Sequence, residues 1–458
     1  MQRNSVDQRM PDTRRQWGAD RRTTPHPLVP APVSEGRIAR GRLAIVLTIT
    51  VWACYLIGTI IQQFIAGHAD SARLIIEAIV YMVVVTGLAA SATAYLITRI
   101  GFFYRSRAHH RAPRIVLDTF LMGDTPSVTV LVPSYQEDER VIRTTLLTAA
   151  LQEYPGLRVV LLIDDPQQPK TRANRDLLIA ARALPAAIEA DLAVPFTRVQ
   201  AAYDRFELSL GTRGRGVTTT QDMRDLAAEY GFAAGWLYGL GRRQELVDHT
   251  DVFFVDHILN ALAGDLSTIA EALAGGADQE AALPVDRLTQ LYRRLLAVFD
   301  ATVTSFERKR YVSLSSEANK AMNLNSYIGL MGGGYQEVST PLGVALVPAG
   351  PGQAELTVPD PDYVLTLDAD SVLLPEYCLR LVHLKEQGAH ERDPVAQTPY
   401  SAFPGSATRI ERVSGATTDI QHIVHQGMTH YDATFWVGAN AVLRKKALDN
   451  ICEVAYEG

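Results

Sequence analysis

Two uncharged stretches near the N-terminus constrain this chain more than any other feature. Residues 43–61 (LAIVLTITVWACYLIGTII) hold no charged side chain in 19 positions, and residues 78–97 hold none in 20. At ~1.5 Å of rise per residue, a helix of that length covers ~28 Å, about the thickness of a bilayer core. A helix buried in a soluble core has one apolar stripe, whereas these runs are apolar all round, so a membrane hairpin is expected at 43–100. A cleaved leader has a shorter apolar region and does not normally follow 42 residues of polar chain. The flanks suggest an orientation. Residues 1–42 carry nine arginines and four acids, 99–114 carry five arginines and no acid, and 62–73 carry one Asp and one Arg. Both basic flanks are therefore expected on the cytoplasmic side of a cell membrane, with everything after residue 100 in the cytosol. Residues 1–42 read as a disordered basic tail.

Composition narrows the rest. With 44 Lys+Arg against 50 Asp+Glu the net charge is −6, so the whole chain is not a basic nucleic-acid binder and no nucleic-acid partner is expected. At 47% hydrophobic and 21% charged residues it is not a disordered protein. The cysteines Cys54, Cys378 and Cys452 form no CxxC and no disulfide framework.

The part after residue 100 reads as α/β. Residues 128–133 (VTVLVP) are a β-branched run ending in a breaker, 141–151 have helical apolar spacing, and 157–163 (LRVVLLI) are a second buried strand. Such a βαβ unit places ligands at the C-terminal ends of its strands. The domain reading is an α/β part at 115–166, a mostly helical insertion at 167–310, and a second α/β part at 311–458. Within the insertion, helical spacing runs through 171–192, 222–240, 252–273 and 285–306, and Gly211, Gly214 and Gly216 suggest a loop. The α/β texture returns with a strand at 363–367 (YVLTL) and a helix at 375–383. Strand and loop are expected over 394–413, and a short helix after 443.

Several residues at these strand ends could carry chemistry. Asp368 and Asp370 follow YVLTL, and positions i and i+2 of a strand share one face. Two carboxylates there make a hard oxygen site suited to Mg²⁺ or Mn²⁺ bridging a diphosphate. Asp164 and Asp165 end the second strand and either cap a turn or accept from base and ribose donors. Glu137 either opens a helix or faces the same ligand. Lys320, in EANKAMNLN, either is solvated or holds phosphate as a point charge. Residues 434–440 (TFWVGAN) either pack a core against a turn or offer an aromatic platform to a pyranose. His422, His425 and His430 lie in a polar stretch with little sign of a zinc site.

Taken in order, VPSYQED (132–138), LLIDD (161–165), NKAMNLN (319–325), LTLDADS (365–371) and TFWVGAN (434–440) resemble the processive glycosyltransferases of family 2, the group containing cellulose, hyaluronan and chitin synthases. The resemblance covers about 115–165 and 310–450. It implies a GT-A fold on the cytosolic membrane face, a nucleotide-sugar donor (usually a UDP-sugar), a glycan acceptor, and an inverting displacement. By position, Tyr135, Glu137, Asp164 and Asp165 would border the nucleoside, and Lys320 would meet the diphosphate. Asp368 and Asp370 would hold donor and metal, and Trp436, Gly438 and Asn440 would line the acceptor end. The family's TED-type base motif and its QxxRW motif are not found, so the chain reads as the N-terminal portion of a synthase and no catalytic base is assigned. Two alternatives stay open: a non-catalytic, membrane-anchored nucleotide-sugar-binding protein, and a membrane scaffold. No oligomeric state is assigned.

Overall fold

The computed structural model describes residues 32–65, 71–213, 218–350, 352–398 and 400–457. In chain order the helices and strands are α1 (Glu35–Ile60), α2 (Ala72–Ala108), α3 (Arg114–Phe120), β1 (Val128–Ser134), α4 (Glu139–Ala150), β2 (Leu157–Ile163), α5 (Arg172–Arg213), α6 (Thr220–Arg242), α7 (His249–Phe253), α8 (Asn260–Asp278) and α9 (Val285–Ala297). They continue with β3 (Ala301–Phe306), α10 (Lys320–Ile328), β4 (Gly334–Thr340), β5 (Gly343–Pro348), β6 (Leu356–Thr357), β7 (Tyr363–Thr366), α11 (Tyr377–Lys385), β8 (Val395–Gln397), α12 (Arg409–His430), β9 (Ala441–Arg444) and α13 (Lys445–Glu457). Two compact units result: Met1–Arg111 with Pro399–Phe435, and Ala112–Thr398 with Trp436–Gly458.

The first unit contains α1, α2 and α12. The stretches Glu35–Gln63 and Ala72–Ala108 are long and apolar enough to cross a membrane, with mean hydropathies of 2.2 and 2.1 and none of either apolar window buried. Side chains such as Val51, Ile76, Val83 and Leu88 point outward, an arrangement suited to lipid and costly in water. The polar groups of the pair meet each other: Trp52 Nε1 donates to Thr86 Oγ1 (3.3 Å), and the Tyr55 and Tyr81 hydroxyls share a 2.7 Å bond. In an apolar medium each would otherwise be left unsatisfied. The expected disordered tail is corrected at its end, because α1 already begins at Glu35; residues 1–31 lie outside the described residues. Of the strand and loop expected over 394–413, the strand is β8 and loop follows it, but the stretch from Arg409 is helical instead. Thr408 and Glu411 form a capping box that starts a 22-residue helix, α12. This helix crosses α2 at Gly101 and Gly427, where a Cβ on Gly427 would stand 1.8 Å from the Thr98 carbonyl oxygen. Pro399–Phe435 thus clusters with α1 and α2.

The second unit is built on a six-stranded sheet in the order β3-β2-β1-β7-β9-β8. β3, β2, β1 and β7 run parallel, while β9 runs antiparallel to β7 and to β8. β1 and β2 are apolar runs buried on both faces, as a parallel sheet covered by helices requires. The strand order reverses at β1, which leaves β2 on one side and β7 on the other.

The long inserted segment forms a helical layer of α5 to α9, with a π-helical turn at Phe254–Leu259 joining α7 to α8. α5 packs on β3 and α4, and α6 packs on α8. α5 runs 42 residues through Pro185 and Pro195, carried by its buried stripe Leu184, Ile188, Leu192 and Val199. Gly211 lies in this helix rather than in a loop, and Gly214 and Gly216 lie outside the described residues. The stretch His249–Asp278 also has the length and mean hydropathy (1.2) of a span, but 39% of its window is buried. The expected helix over 285–306 ends at Ala297; residues 301–306 are a strand pairing with β2, so the insertion closes before β3. A small antiparallel sheet of β5, β4 and β6 was not anticipated.

Candidate functional site

The parallel strands β1, β2, β3 and β7 end at the same edge of the sheet. The first reversal of strand order lies between β1 and β7, the place where open α/β sheets bind ligands. Four loops meet there: Tyr135–Asp138 after β1, Asp164 and Asp165 after β2, Glu307–Arg310 after β3, and Leu367–Asp370 after β7. The N-terminus of α10, capped by Asn319 through Ala321 N (2.8 Å), faces the same edge.

Asp164 and Asp165 are both buried. The Asp164 Oδ1 atom lies 2.8 Å from Arg308 Nη2 and 3.3 Å from Lys309 Nζ. Arg308 is fully buried and also donates to the carbonyls of Ser315 and Glu317, in the segment leading to α10. Lys309 Nζ donates to the Asp164 carbonyl (2.5 Å) and stands 5.5 Å from the centre of the exposed Tyr135 ring. Asp165 Oδ2 accepts from Gln136 N (3.3 Å), where Gln136 has φ of 52°. Asp165 Oδ1 is buried with no hydrogen-bond partner. Burial pushes the Asp165 carboxyl above its ordinary range, against the bond from Gln136 and the charge of Lys309. Asn323 of α10 ties the helix to β2 through the Leu162 carbonyl (2.9 Å).

Glu137 is exposed, yet its pKa is raised, first by partial desolvation and then by the charges of Asp370 and Asp165. Glu137, on the loop after β1, therefore feels the charges of carboxylates on the loops after β2 and β7. The expected strand geometry of Asp368 and Asp370 is corrected. β7 ends at Thr366, Leu367 N still bonds the Leu131 carbonyl (3.0 Å), and a turn then closes with Ser371 N on the Asp368 carbonyl (3.1 Å). A turn, not strand alternation, places the two aspartates. Asp368 is ion-paired with Lys320, and Asp370 is exposed.

Among the described residues, no group of three or more His, Cys, Asp or Glu side chains is arranged to hold a metal ion. Mg²⁺ is commonly held by only one or two carboxylates together with phosphate oxygens and water. Asp370 and Asp368, the latter paired with Lys320, would be a donor set of that kind. His422 and His430 pack edge-on or tilted on Phe102 and Tyr104, and His425 on Phe435, as aromatic contacts of the first unit.

At the acceptor motif, Trp436 is exposed, Gly438 has φ of 105°, and Asn440 has φ of 50°. Asn440 Oδ1 accepts from Ser371 Oγ (3.0 Å) and its carbonyl accepts from Tyr377 Oη (3.0 Å). This motif is thereby tied to the residue following Asp370. Val437 N donates to Gln397 Oε1 (3.0 Å) at the end of β8. The structure brings Tyr135, Glu137, Asp164, Asp165, Lys320, Asp368 and Asp370 to one sheet edge. It links Asn440 to that edge and leaves Trp436 at the surface. Arg308 and Lys309 were missed in the sequence because they follow a segment read as helix. The β-branched alternation of ATVTSF was the signal that a strand precedes them.

No curated protein matches the chain. Residues 363–456, from the first residue of β7 into α13, match the family model of glycosyl transferase family group 2, and this supports placing the chain among the group 2 glycosyltransferases.

Proposed function

We propose that the chain is a membrane-bound, inverting glycosyltransferase that takes a nucleotide-diphospho-sugar, most simply a UDP-sugar, and extends a polysaccharide or glycan. In this reading the second unit is a GT-A domain of the cellulose, hyaluronan and chitin synthase type on the cytosolic face of the cell membrane, and α1 and α2 span the bilayer. The observation that carries it is the convergence of acidic loops and paired cations at the C-terminal ends of parallel strands beside the β1/β7 reversal point, with Asp164 held by Arg308 and Lys309 and Asp368 by Lys320. Carboxylates and cations gathered at a strand-end crevice suit a divalent ion and the phosphates that come with it.

The roles follow from position. Tyr135 offers an exposed ring face to a base. Asp164 and Asp165 accept from base or ribose donors, with Asp164 held by Arg308 and Lys309. Lys320, at a helix N-terminus, exchanges Asp368 for a diphosphate oxygen. Asp370 and Asp368 hold Mg²⁺ or Mn²⁺, which when bound neutralises the charge building on the departing diphosphate. Trp436, Gly438 and Asn440 border the acceptor. An acceptor hydroxyl oxygen forms its bond to the anomeric carbon as the bond to diphosphate breaks, which inverts that centre; the group that takes the hydroxyl proton is not assigned.

Calorimetric titration of the full chain in detergent with UDP, with and without Mn²⁺, tests this. UDP is expected to bind more tightly with Mn²⁺, and Asp370→Asn is expected to remove the metal-dependent part. Absence of UDP binding to the wild-type chain would refute the donor assignment. Equal metal dependence in Asp370→Asn would refute the metal assignment alone.

A further inference from the structure

We propose that Arg182, on the first helix of the inserted layer, is a positioning residue of the donor site; this rests on the reading above. Its guanidinium closes a three-way knot between two site loops. Nε donates to Glu307 Oε1 (2.7 Å), and Nη2 donates to Glu307 Oε2 (2.7 Å) and to Gln167 Oε1 (2.9 Å). Gln167 Nε2 in turn donates to Glu307 Oε2 (2.5 Å). Gln167 lies two residues after Asp165, and Glu307 directly precedes Arg308 and Lys309. One inserted side chain therefore ties the loop carrying the aspartate pair to the loop carrying the cations that hold Asp164.

The electrostatics give this knot a consequence beyond packing. Glu307 would be raised by its partial burial, but the bonds from Arg182 and Gln167 hold it below the usual carboxylate range. The charge of Glu307 also reaches Asp165 and raises it. The Arg182 side chain is 40% exposed, so the pair itself contributes little to stability. Its weight is local. Without Arg182, the half-buried Glu307 carboxylate keeps only the weaker influence of Arg310 among the cations that act on it. It then presents a less compensated charge to Asp165. The inserted helical layer thus sets the geometry of the donor loops as well as adding bulk beside them.

The test is UDP titration of the full chain in detergent, with the thermal midpoint measured in parallel. Arg182→Gln is expected to weaken UDP binding about fivefold while moving the midpoint by no more than about 2 °C. Arg182→Lys, which keeps the charge but not the fork, is expected between wild type and Arg182→Gln. The double variant Arg182→Gln/Glu307→Gln is expected to recover affinity to within about twofold of wild type, because it removes the stray charge; a residue that only supports packing would show no such rescue. Unchanged UDP affinity in Arg182→Gln, or a double variant weaker than the single, would overturn the inference while wild-type UDP binding leaves the donor reading standing. A wild-type chain that does not bind UDP removes both.

Discussion

Replacing Arg308 by methionine tests whether the donor loops are held by buried charge. The side chain is wholly buried and meets three partners: the Asp164 carboxylate at 2.8 Å and the carbonyls of Ser315 and Glu317. Methionine keeps much of the apolar stem and removes every donor. Removing one member of a buried ion pair costs about 3–5 kcal/mol, because the remaining charge loses its compensation. Lys309 stays 3.3 Å from the same Asp164 oxygen, which places the expected loss near the lower end, about 3 kcal/mol. At ~2–4 °C per kcal/mol for a domain of a few hundred residues, the thermal midpoint should fall by roughly 6–12 °C. Circular dichroism of the detergent-solubilised chain would follow the transition. The double variant Asp164→Asn/Arg308→Met carries no orphaned carboxylate and should regain at least about 1 kcal/mol over Arg308→Met. A loss below about 1 kcal/mol, or a double variant no more stable than the single, would refute the argument that Arg308 and Asp164 act as a buried pair.

Two further outcomes can be checked. Burial would raise Glu376, but Arg114 and Arg380 outweigh it and hold the carboxyl at about 2 against an ordinary 4.5. With the folded value depressed, this contribution is complete above pH ~4.5 and is lost as pH falls toward ~2, a difference worth about 1–2 kcal/mol after solvent screening of the partly exposed group. Glu376→Gln should flatten the acid limb of the stability curve by about that amount; an unchanged limb would argue against the pairing. In the first unit, Gly427→Ala puts a methyl where 1.8 Å separates it from the Thr98 carbonyl, so α12 should part from α2 at a cost of about 1–3 kcal/mol. The thermal midpoint of the detergent-solubilised chain should fall in Gly427→Ala; an unchanged midpoint would count against the tight crossing.

Much of the site was legible because its residues follow buried strands. An apolar run ending in Pro, Asp or Ser is recognisable from local composition, and β2 appears at the expected 157–163. α12 was also legible in principle: Thr408 and Glu411 stand at capping-box spacing, a signal overlooked beside the polar character of the helix. β3 was harder to see. ATVTSF follows α9 with little break, and helical spacing can be traced through it; pairing with β2 is what makes it a strand.

Sequence alone determined the two lipid-length apolar helices, the βαβ start of the sheet and the acidic loops at its strand ends, because each depends on the side chains of a short contiguous segment. Tertiary structure alone decided which charges meet. In sequence, Arg308 sits in an Arg-Lys-Arg run that looks solvated; folded, it is buried because Asp164 arrives from 144 residues away. Lys320 finds Asp368, and Arg182 finds Glu307, by the same route. Periodicity reports which face of an element is buried. It does not report the partner across a fold, since that depends on how the strands are ordered and how the inserted helices are laid against them.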